Sequence, residues 1–248
     1  MALIEIDSLT KVFKKEFSRK KICALNSLTL TINEGEVFGF LGPNGAGKST
    51  TIKLLLNLIR PTSGSLSIMG RNSSEKSVRK LIGYLPENPF FYDHLSAKEL
   101  LWFGGRSCGM DSRIIRERTL SLLEELELIH AMKRPLRSYS KGMVQRAGLA
   151  LALIHDPKIL ILDEPMSGLD PMGRKKVFDL IFRLKNNGKT VFFSSHILHD
   201  IERLCDRAAI LINGNLQKLV DVKTDLSGGK TLESLFMEEV DKSGGLRD

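Results

Sequence analysis

The hydrophobic positions of the chain follow two different periods near its start. Apolar and polar residues alternate from Leu28 to Ile32, and a fully apolar run follows from Val37 to Leu41, so both stretches are predicted strands. After Gly47 the apolar spacing becomes helical as far as Ile59. We expect this helix to stop at Arg60-Pro61, because a residue before proline avoids helical backbone angles. The pattern therefore predicts a strand, a loop and a helix in succession.

The middle of the chain has a helical pattern. Ser96 and Glu99 have the spacing of a capping box, and leucines farther along supply one apolar face. We place a helical subdomain at about residues 96–154.

Strands and helices alternate in the second half of the chain. Predicted strands cover Ile159 to Leu162, Thr190 to Ser194 and Ala208 to Ile212, with helices between them. Asp170 is placed to cap one of these helices, just before a proline. Such alternation makes a parallel sheet flanked by helices, so the expected class is α/β. We assign residues 1–240 to one domain and expect the polar end, residues 241–248, to be loose.

Composition and charge narrow the class of protein. Hydrophobic residues make up 42% and charged residues 27% of the 248 positions, as in ordinary globular proteins. The 37 Lys and Arg outnumber the 29 Asp and Glu, and the net charge of +8 is a hint of anionic partners. No apolar run approaches the roughly 20 residues of a membrane span, and the acidic start does not resemble a signal peptide, so we expect a cytosolic location. Three widely spaced cysteines favour neither disulfides nor a metal cluster.

A glycine-rich loop between the predicted strand and helix indicates phosphate binding. It consists of Gly42, Pro43, Asn44, Gly45, Ala46, Gly47, Lys48, Ser49 and Thr50. Glycines let backbone N–H groups converge on phosphate oxygens, and the next helix adds its positive end. In this pattern Lys48 reaches the β- and γ-phosphates and Ser49 ligates Mg²⁺. A plain glycine-rich turn would match by chance in on the order of a per cent of chains this long.

Three more polar residues follow predicted strands. Asp163 and Glu164 end the apolar run that begins at Ile159, and His196 follows the run at residues 191–193. The carboxyl ends of parallel strands are where such sheets bind ligands. We expect Asp163 to hold Mg²⁺ and Glu164 to polarise a water for in-line attack on phosphorus. Acidic residues at strand ends are often only solvated loop residues, and the glycine loop is what favours the catalytic interpretation.

Taken together, these segments resemble the ATP-binding cassette ATPases of ABC transporters over about residues 3–240. The most specific segment is the run from Tyr139 to Arg146, a variant of the family signature that includes Ser140, Lys141, Gly142 and Met143. Further matches are Asp170 in the D-loop, His196 as the switch histidine and Phe13 near the position that stacks on adenine. The resemblance implies a P-loop NTPase fold with an N-terminal antiparallel β subdomain and an inserted helical signature subdomain.

The resemblance also implies partners and an activity. Two cassettes are expected to bind head to tail, with ATP and Mg²⁺ between the glycine loop of one and the signature of the other. Ser140 and the N–H of Gly142 would then donate to the γ-phosphate bound by the partner. The implied protein is an ATP-hydrolysing transporter subunit that works as a dimer, most simply of two copies, beside an integral membrane subunit at the inner face of the cell membrane.

The chain departs from the usual family pattern at a few positions. Glu87 stands where a glutamine commonly contacts Mg²⁺, and a carboxylate can also serve as a ligand. Lys141 and Met143 replace the commoner glycine and glutamine of the signature, and Phe13 replaces a tyrosine. The Glu87 and signature variants resemble those of exporters that pair a separate ATPase with a separate membrane subunit.

Other functions stay open at this point. The net charge and the basic run from Lys11 to Lys21 are compatible with an ATPase that acts on nucleic acid or ribosomes, although the run has no base-reading motif. A small-molecule kinase would not need the segment from Ser140 to Met143. The 52 residues after His196 are expected to hold closing strands and a helix, with no appended regulatory domain.

Overall fold

The computed structural model describes residues 2–14, 21–227 and 229–243. Most of the basic run from Lys11 to Lys21, and most of the tail predicted to be loose, lie outside these residues. The chain divides into two compact units, Met1–Arg79 with Leu184–Asp248, and Lys80–Arg183. We call them the first and the second unit.

Strands and helices follow one another in the predicted order. The strands are β1 (Ala2–Lys14), β2 (Lys21–Asn33), β3 (Val37–Leu41), β4 (Ser63–Ile68), β5 (Arg71–Asn72), β6 (Ile82–Leu85), β7 (Ile159–Asp163), β8 (Thr190–Ser195), β9 (Arg207–Ile212) and β10 (Asn215–Asp221). The helices are α1 (Lys48–Leu55), α2 (Lys76–Arg79), α3 (Ala97–Ser107), α4 (Ser112–Glu125), α5 (Lys141–Leu153), α6 (Pro171–Asn186), α7 (Leu198–Leu204), α8 (Val222–Asp225) and α9 (Leu232–Lys242). Short 3₁₀ turns cover Ile129–Ala131 and Leu136–Ser138.

The first unit contains two kinds of strand pairing. Strands β2, β1, β4 and β5 form an antiparallel sheet in that order. Strand β3 pairs in parallel with β8 on one side and β9 on the other, and β10 closes the far side antiparallel to β9. The sheet class predicted from the sequence is confirmed: an antiparallel N-terminal sheet lies beside a mostly parallel one.

The core of the parallel strands is aromatic and tightly packed. Phe38, Phe40 and Phe192 are completely buried, and the rings of Phe38 and Phe192 stack with 6.1 Å between centroids. Gly39 lies between the two phenylalanines of β3, where a Cβ would be only 2.6 Å from the Cys205 sulfur. The glycine therefore allows the end of α7 to approach the strand closely.

The second unit combines the helical subdomain with one strand pair. Strands β6 and β7 are parallel, and α3, α4 and α5 are the main helices before β7. The predicted capping box is present at the start of α3, where the Glu99 side chain accepts from the Ser96 N–H at 2.8 Å and the Glu99 N–H donates to the Ser96 hydroxyl at 3.3 Å. Helices α3, α4 and α5 lie within residues 96–154, and their assignment to a separate subdomain stays a prediction.

Two helix ends differ from the sequence prediction. Helix α1 stops at Leu55, although apolar spacing continues to Ile59. Asn57 adopts a left-handed conformation with φ of 51°, and the Leu58 N–H bonds the Lys53 carbonyl at 2.9 Å. This closes the helix before the proline, as in common C-terminal caps. Helix α9 runs to Lys242, two residues beyond the domain end predicted at residue 240.

No helix in the described part of the chain is long and apolar enough to cross a membrane.

Gly83, in the middle of β6, provides a test of the packing in the second unit. A Cβ at this position would lie 2.1 Å from the Ala152 carbonyl oxygen, which is backbone and cannot move aside. We expect Gly83→Ala to lower the free energy of unfolding by about 1–3 kcal/mol, measured by urea denaturation.

Gly104→Ala is the matched control for this prediction. Its Cβ would lie 2.3 Å from a terminal carbon of the Leu151 side chain, which can rotate, and alanine favours the helix. The control is expected to unfold close to the wild-type midpoint. Equal stability of both variants would contradict the interpretation of the β6 contact.

Candidate functional site

The glycine-rich loop joins the end of β3 to the start of α1 in the first unit. Gly47 has φ of 108°, and a Cβ there would lie 2.7 Å from the Ala24 carbonyl oxygen. A Cβ on Gly42 would lie 2.3 Å from the Leu211 carbonyl oxygen. Both residues must be glycine, because the loop runs against neighbouring backbone. Gly45, with φ of 80°, has nothing within 4 Å of its Cβ position. The loop is therefore packed at its ends and open at Gly45.

Lys48 is the first residue of α1 and is only 5% exposed. Its ammonium group donates to the Gly42 carbonyl at 2.6 Å and to the Pro43 carbonyl at 3.2 Å. A cation at a helix N-terminus is disfavoured by the helix dipole, and burial adds to the cost. The structure thus concentrates positive charge at the loop, as an anion site requires.

The register of two strands brings His196 to the same edge of the sheet as the loop. Strands β3 and β8 are parallel neighbours, and Leu41 pairs with Ser195. The next residues in the chain are Gly42 and His196, so both leave the sheet side by side. The His196 side chain is exposed. The prediction that the histidine and the loop share a sheet edge agrees with this arrangement.

The acidic pair occupies the equivalent edge of the strand pair in the second unit. Leu162 of β7 is in register with Leu85 of β6, so the acidic pair and Glu87 follow neighbouring strand ends. Asp163 is 4% and Glu164 is 8% exposed, whereas Glu87 is exposed. Carboxylates buried at a strand end are unusual for ordinary loop residues.

Glu164 has a strained backbone. Its φ is 48°, in the left-handed region, and the next residue is Pro165, which favours extended angles in the residue before it. Such a conformation costs on the order of 1–2 kcal/mol for a non-glycine residue. The Glu164 carbonyl accepts a hydrogen bond from the Ser167 N–H at 3.0 Å, which helps to hold the turn.

Tyr84 is a neighbour of the acidic pair that the sequence did not indicate. Burial, with the charge of Asp163 as a smaller cause, raises the pKa of Tyr84 from 10.0 to about 12. The hydroxyl therefore stays protonated to a higher pH than that of an ordinary tyrosine. The hydrophobic pattern of β6 does not indicate this interaction, because Tyr84 and Asp163 come together only when β6 pairs with β7.

The signature residues begin helix α5 in the second unit. Ser140 is the N-cap, and its hydroxyl accepts from the Met143 N–H at 3.3 Å. Lys141 is exposed, and Gly142 and Met143 are partly exposed. Asp170 caps α6 by accepting from the Gly173 N–H at 2.9 Å. Burial lowers the pKa of Arg146, and the charge of Asp170 opposes this shift.

Phe13 lies near the end of β1 in the first unit. Its side chain is 39% exposed, and the ammonium of Lys11 lies 5.0 Å from the ring centroid. Phe13 is thus partly accessible. Its role toward adenine stays a prediction, as do the roles of the other site residues.

The fold and the loop define a nucleotide-binding α/β protein of the P-loop class. The chain belongs to the ABC transporter family, whose sequence profile matches residues 25–167. The resemblance drawn from the motifs is confirmed.

Curated relatives are ATP-binding proteins of transporters. An uncharacterized ABC transporter ATP-binding protein of Synechocystis is 44% identical over 217 residues, covering 86% of this chain and 61% of the relative. This chain thus spans less than two thirds of the length of that protein. The bacitracin transport ATP-binding protein of Bacillus licheniformis is 41% identical, covering 86% of this chain and 68% of the relative. The lantibiotic transport ATP-binding protein of Streptococcus pyogenes is 38% identical, covering 92% of this chain and 94% of the relative.

Solved structures share the fold. The ATP-binding subunit of an ABC transporter matches with a TM-score of 0.85 and 30% identity, covering 96% of this chain and 99% of that one. A dimeric ATP-binding cassette bound to ADP and phosphate in a post-hydrolysis state matches with a TM-score of 0.82 and 26% identity, covering 89% of this chain and 99% of that one.

The raised pKa of Tyr84 predicts a loss of stability at high pH. The unfolded chain releases the tyrosine proton near pH 10, but the folded chain keeps it until about pH 12. The folded state therefore binds more protons in this interval, and the free energy of unfolding falls as pH rises through it. Tyr84→Phe should reduce this fall, measured by urea denaturation at several pH values.

Tyr92→Phe is the control, because the Tyr92 side chain is 68% exposed. It should follow the wild-type pH dependence. The proposed environment of Tyr84 is wrong if the two variants lose stability with the same slope as the wild type.

Proposed function

We propose that this protein is the ATP-binding and ATP-hydrolysing subunit of an ABC transporter of the exporter type. The observation that carries the proposal is the buried ammonium of Lys48 at the start of α1, inside a loop whose glycines pack against backbone. This arrangement suits a polyphosphate, since the anion compensates the cation and the helix dipole together. Membership of the family supports ATP as that polyphosphate.

The residues of the predicted phosphate site have roles in the proposed reaction. The loop from Gly42 to Thr50 binds the phosphates, and Lys48 contacts the β- and γ-phosphates. Glu164 polarises the attacking water, and its burial at 8% exposure limits competing contacts with solvent. His196 lies at the edge where the γ-phosphate would lie and stabilises its developing charge.

The chemistry of the three predicted ligands suits Mg²⁺. Asp163 supplies a buried carboxylate, Ser49 a hydroxyl after the loop lysine, and Glu87 a second carboxylate. Mg²⁺ prefers such oxygen ligands, commonly one or two carboxylates together with substrate phosphates. When bound, the ion would neutralise phosphate charge.

A second copy of the chain completes the proposed site. Ser140, Lys141, Gly142 and Met143 lie at the N-terminus of α5, where N–H groups and positive charge suit the γ-phosphate held by the partner. Asp170 and the D-loop would lie at the same interface. The solved dimeric cassette bound to ADP and phosphate supports this arrangement. ATP would close the dimer because it contacts both copies.

We infer that the second partner is an integral membrane subunit at the inner face of the cell membrane. The second unit exposes apolar rings, with Phe90 98%, Tyr92 68% and Phe103 61% exposed. It also has a cavity of about 470 Å³ whose lining includes Lys98, Arg116 and Trp102. Apolar partner side chains would suit the rings, and acidic ones would suit the basic residues of the cavity. The bacitracin and lantibiotic relatives support export.

Two substitutions separate binding from turnover. Glu164→Gln removes the proposed base but not the phosphate site, so ATP turnover should fall about 10²–10⁴-fold while nucleotide affinity is retained. Lys48→Ala should weaken nucleotide affinity about 10–100-fold, because a charged hydrogen-bond donor is lost. Phosphate release and titration with a fluorescent ATP analogue measure the two quantities.

His199→Gln is the control, since this exposed histidine has no proposed role. The assignment of the base fails if Glu164→Gln keeps wild-type turnover with saturating Mg²⁺. The assignment of the phosphate site fails if Lys48→Ala binds nucleotide as tightly as the wild type.

The exposed rings predict where the membrane partner binds. Phe90→Asp combined with Tyr92→Asp should abolish recovery of a multi-span membrane protein with the tagged chain from detergent-solubilised membranes. Met237→Asp is the control, because this exposed methionine belongs to the first unit. Recovery of only ribosomes or DNA with the wild-type chain would contradict the transporter proposal.

A further inference from the structure

Gln145 is a buried side chain on α5 for which the proposed roles offer no use. It is 1% exposed, and its Nε2 group donates to the Pro165 carbonyl oxygen at 3.3 Å. Both residues belong to the second unit. A buried amide is costly unless it is hydrogen-bonded, so this contact defines how the side chain lies.

The acceptor lies directly after the proposed catalytic base. Pro165 has no N–H, so its backbone can form a hydrogen bond only through the carbonyl oxygen. Glu164 has φ of 48°, against the preference of a residue that precedes proline. The turn persists because neighbouring groups fix it, and the bond from Gln145 holds its far side while the Ser167 N–H holds the Glu164 carbonyl.

The start of α5 touches the same turn farther along. The Lys141 side chain crosses Gly168, with its Cε 2.6 Å from where a Cβ would lie. A Cβ on Gly142 would lie 3.4 Å from Leu169. The segment from Pro165 to Leu169 is therefore contacted by α5 at successive points. The helix that carries the signature residues thus lies along the turn that carries Glu164.

We propose that Gln145 is a positioning residue that holds Glu164 in its left-handed conformation and links it to the signature helix. The inference rests on the proposed function, in which Glu164 polarises the attacking water. A change at the signature moves α5, and the bond to Pro165 passes that movement to the backbone beside the carboxylate. The start of α5 would contact the nucleotide bound by the partner, whereas Gln145 would act on the nucleotide bound by this chain.

The first test is Gln145→Met, which keeps the length of the side chain and removes the donor. Turnover at saturating ATP should fall about tenfold, since a small misplacement of a catalytic group is costly, whereas KM and nucleotide affinity should stay within about twofold. Gln217→Met, on β10 of the first unit, is the matched control and should behave as the wild type. Thermal unfolding followed by circular dichroism reports whether each variant is folded.

The second test is Gln145→Glu, which makes the hydrogen bond depend on protonation. An ionised carboxylate cannot donate to the Pro165 carbonyl, but a protonated one can, and burial raises the pKa of a carboxyl group. The ratio of turnover in Gln145→Glu to turnover in the wild type should rise several-fold as pH falls from about 8 to about 6. The same ratio for Gln145→Met should stay flat.

The outcomes separate this inference from the proposed function. Wild-type turnover in Gln145→Met, or a flat pH ratio for Gln145→Glu, would overturn the role of Gln145 and leave the ATPase proposal intact. A proportional loss of nucleotide affinity and turnover would also overturn it, because that pattern belongs to a general packing defect. Absence of ATP turnover in the wild-type chain would instead overturn the proposed function.

Discussion

Lys48 places an ammonium group beside the positive end of a helix, in a position that is only 5% exposed, and the Gly42 and Pro43 carbonyls hold it there. This contact needs the loop to fold back on the lysine, and the loop can do so only because glycines let it pass close to other backbone. The parallel strands then fix which residues leave the sheet beside it. The proposed binding of phosphate by the first unit depends on this buried charge and on the groups that hold it.

Much of the fold is readable from local sequence. The apolar run of β3, the glycine loop and the capping box at Ser96 each act through neighbours within a few residues, and each is present as predicted. The predicted end of α1 was wrong, because apolar spacing continues past the left-handed turn at Asn57. Periodicity reports which face of a helix is buried, but it does not report where a backbone cap ends the helix.

The candidate site was predictable where it depends on the ends of strands. His196 and the acidic pair lie at strand ends, as their positions after apolar runs indicated. The raised pKa of Tyr84 and the bond from Gln145 to Pro165 were not predictable, because each depends on residues distant in sequence that tertiary packing brings together. The left-handed conformation of Glu164 was not predictable either, because neither its residue type nor the following proline favours it. Supporting contacts of this kind set how precisely a carboxylate is positioned, and they cannot be recognised from a sequence motif.

The 98% exposure of Phe90 has a consequence for how the chain behaves in water. An aromatic ring exposed to water associates with other apolar surfaces, and two free copies present such surfaces to each other. Free copies are therefore expected to self-associate more readily as their concentration rises.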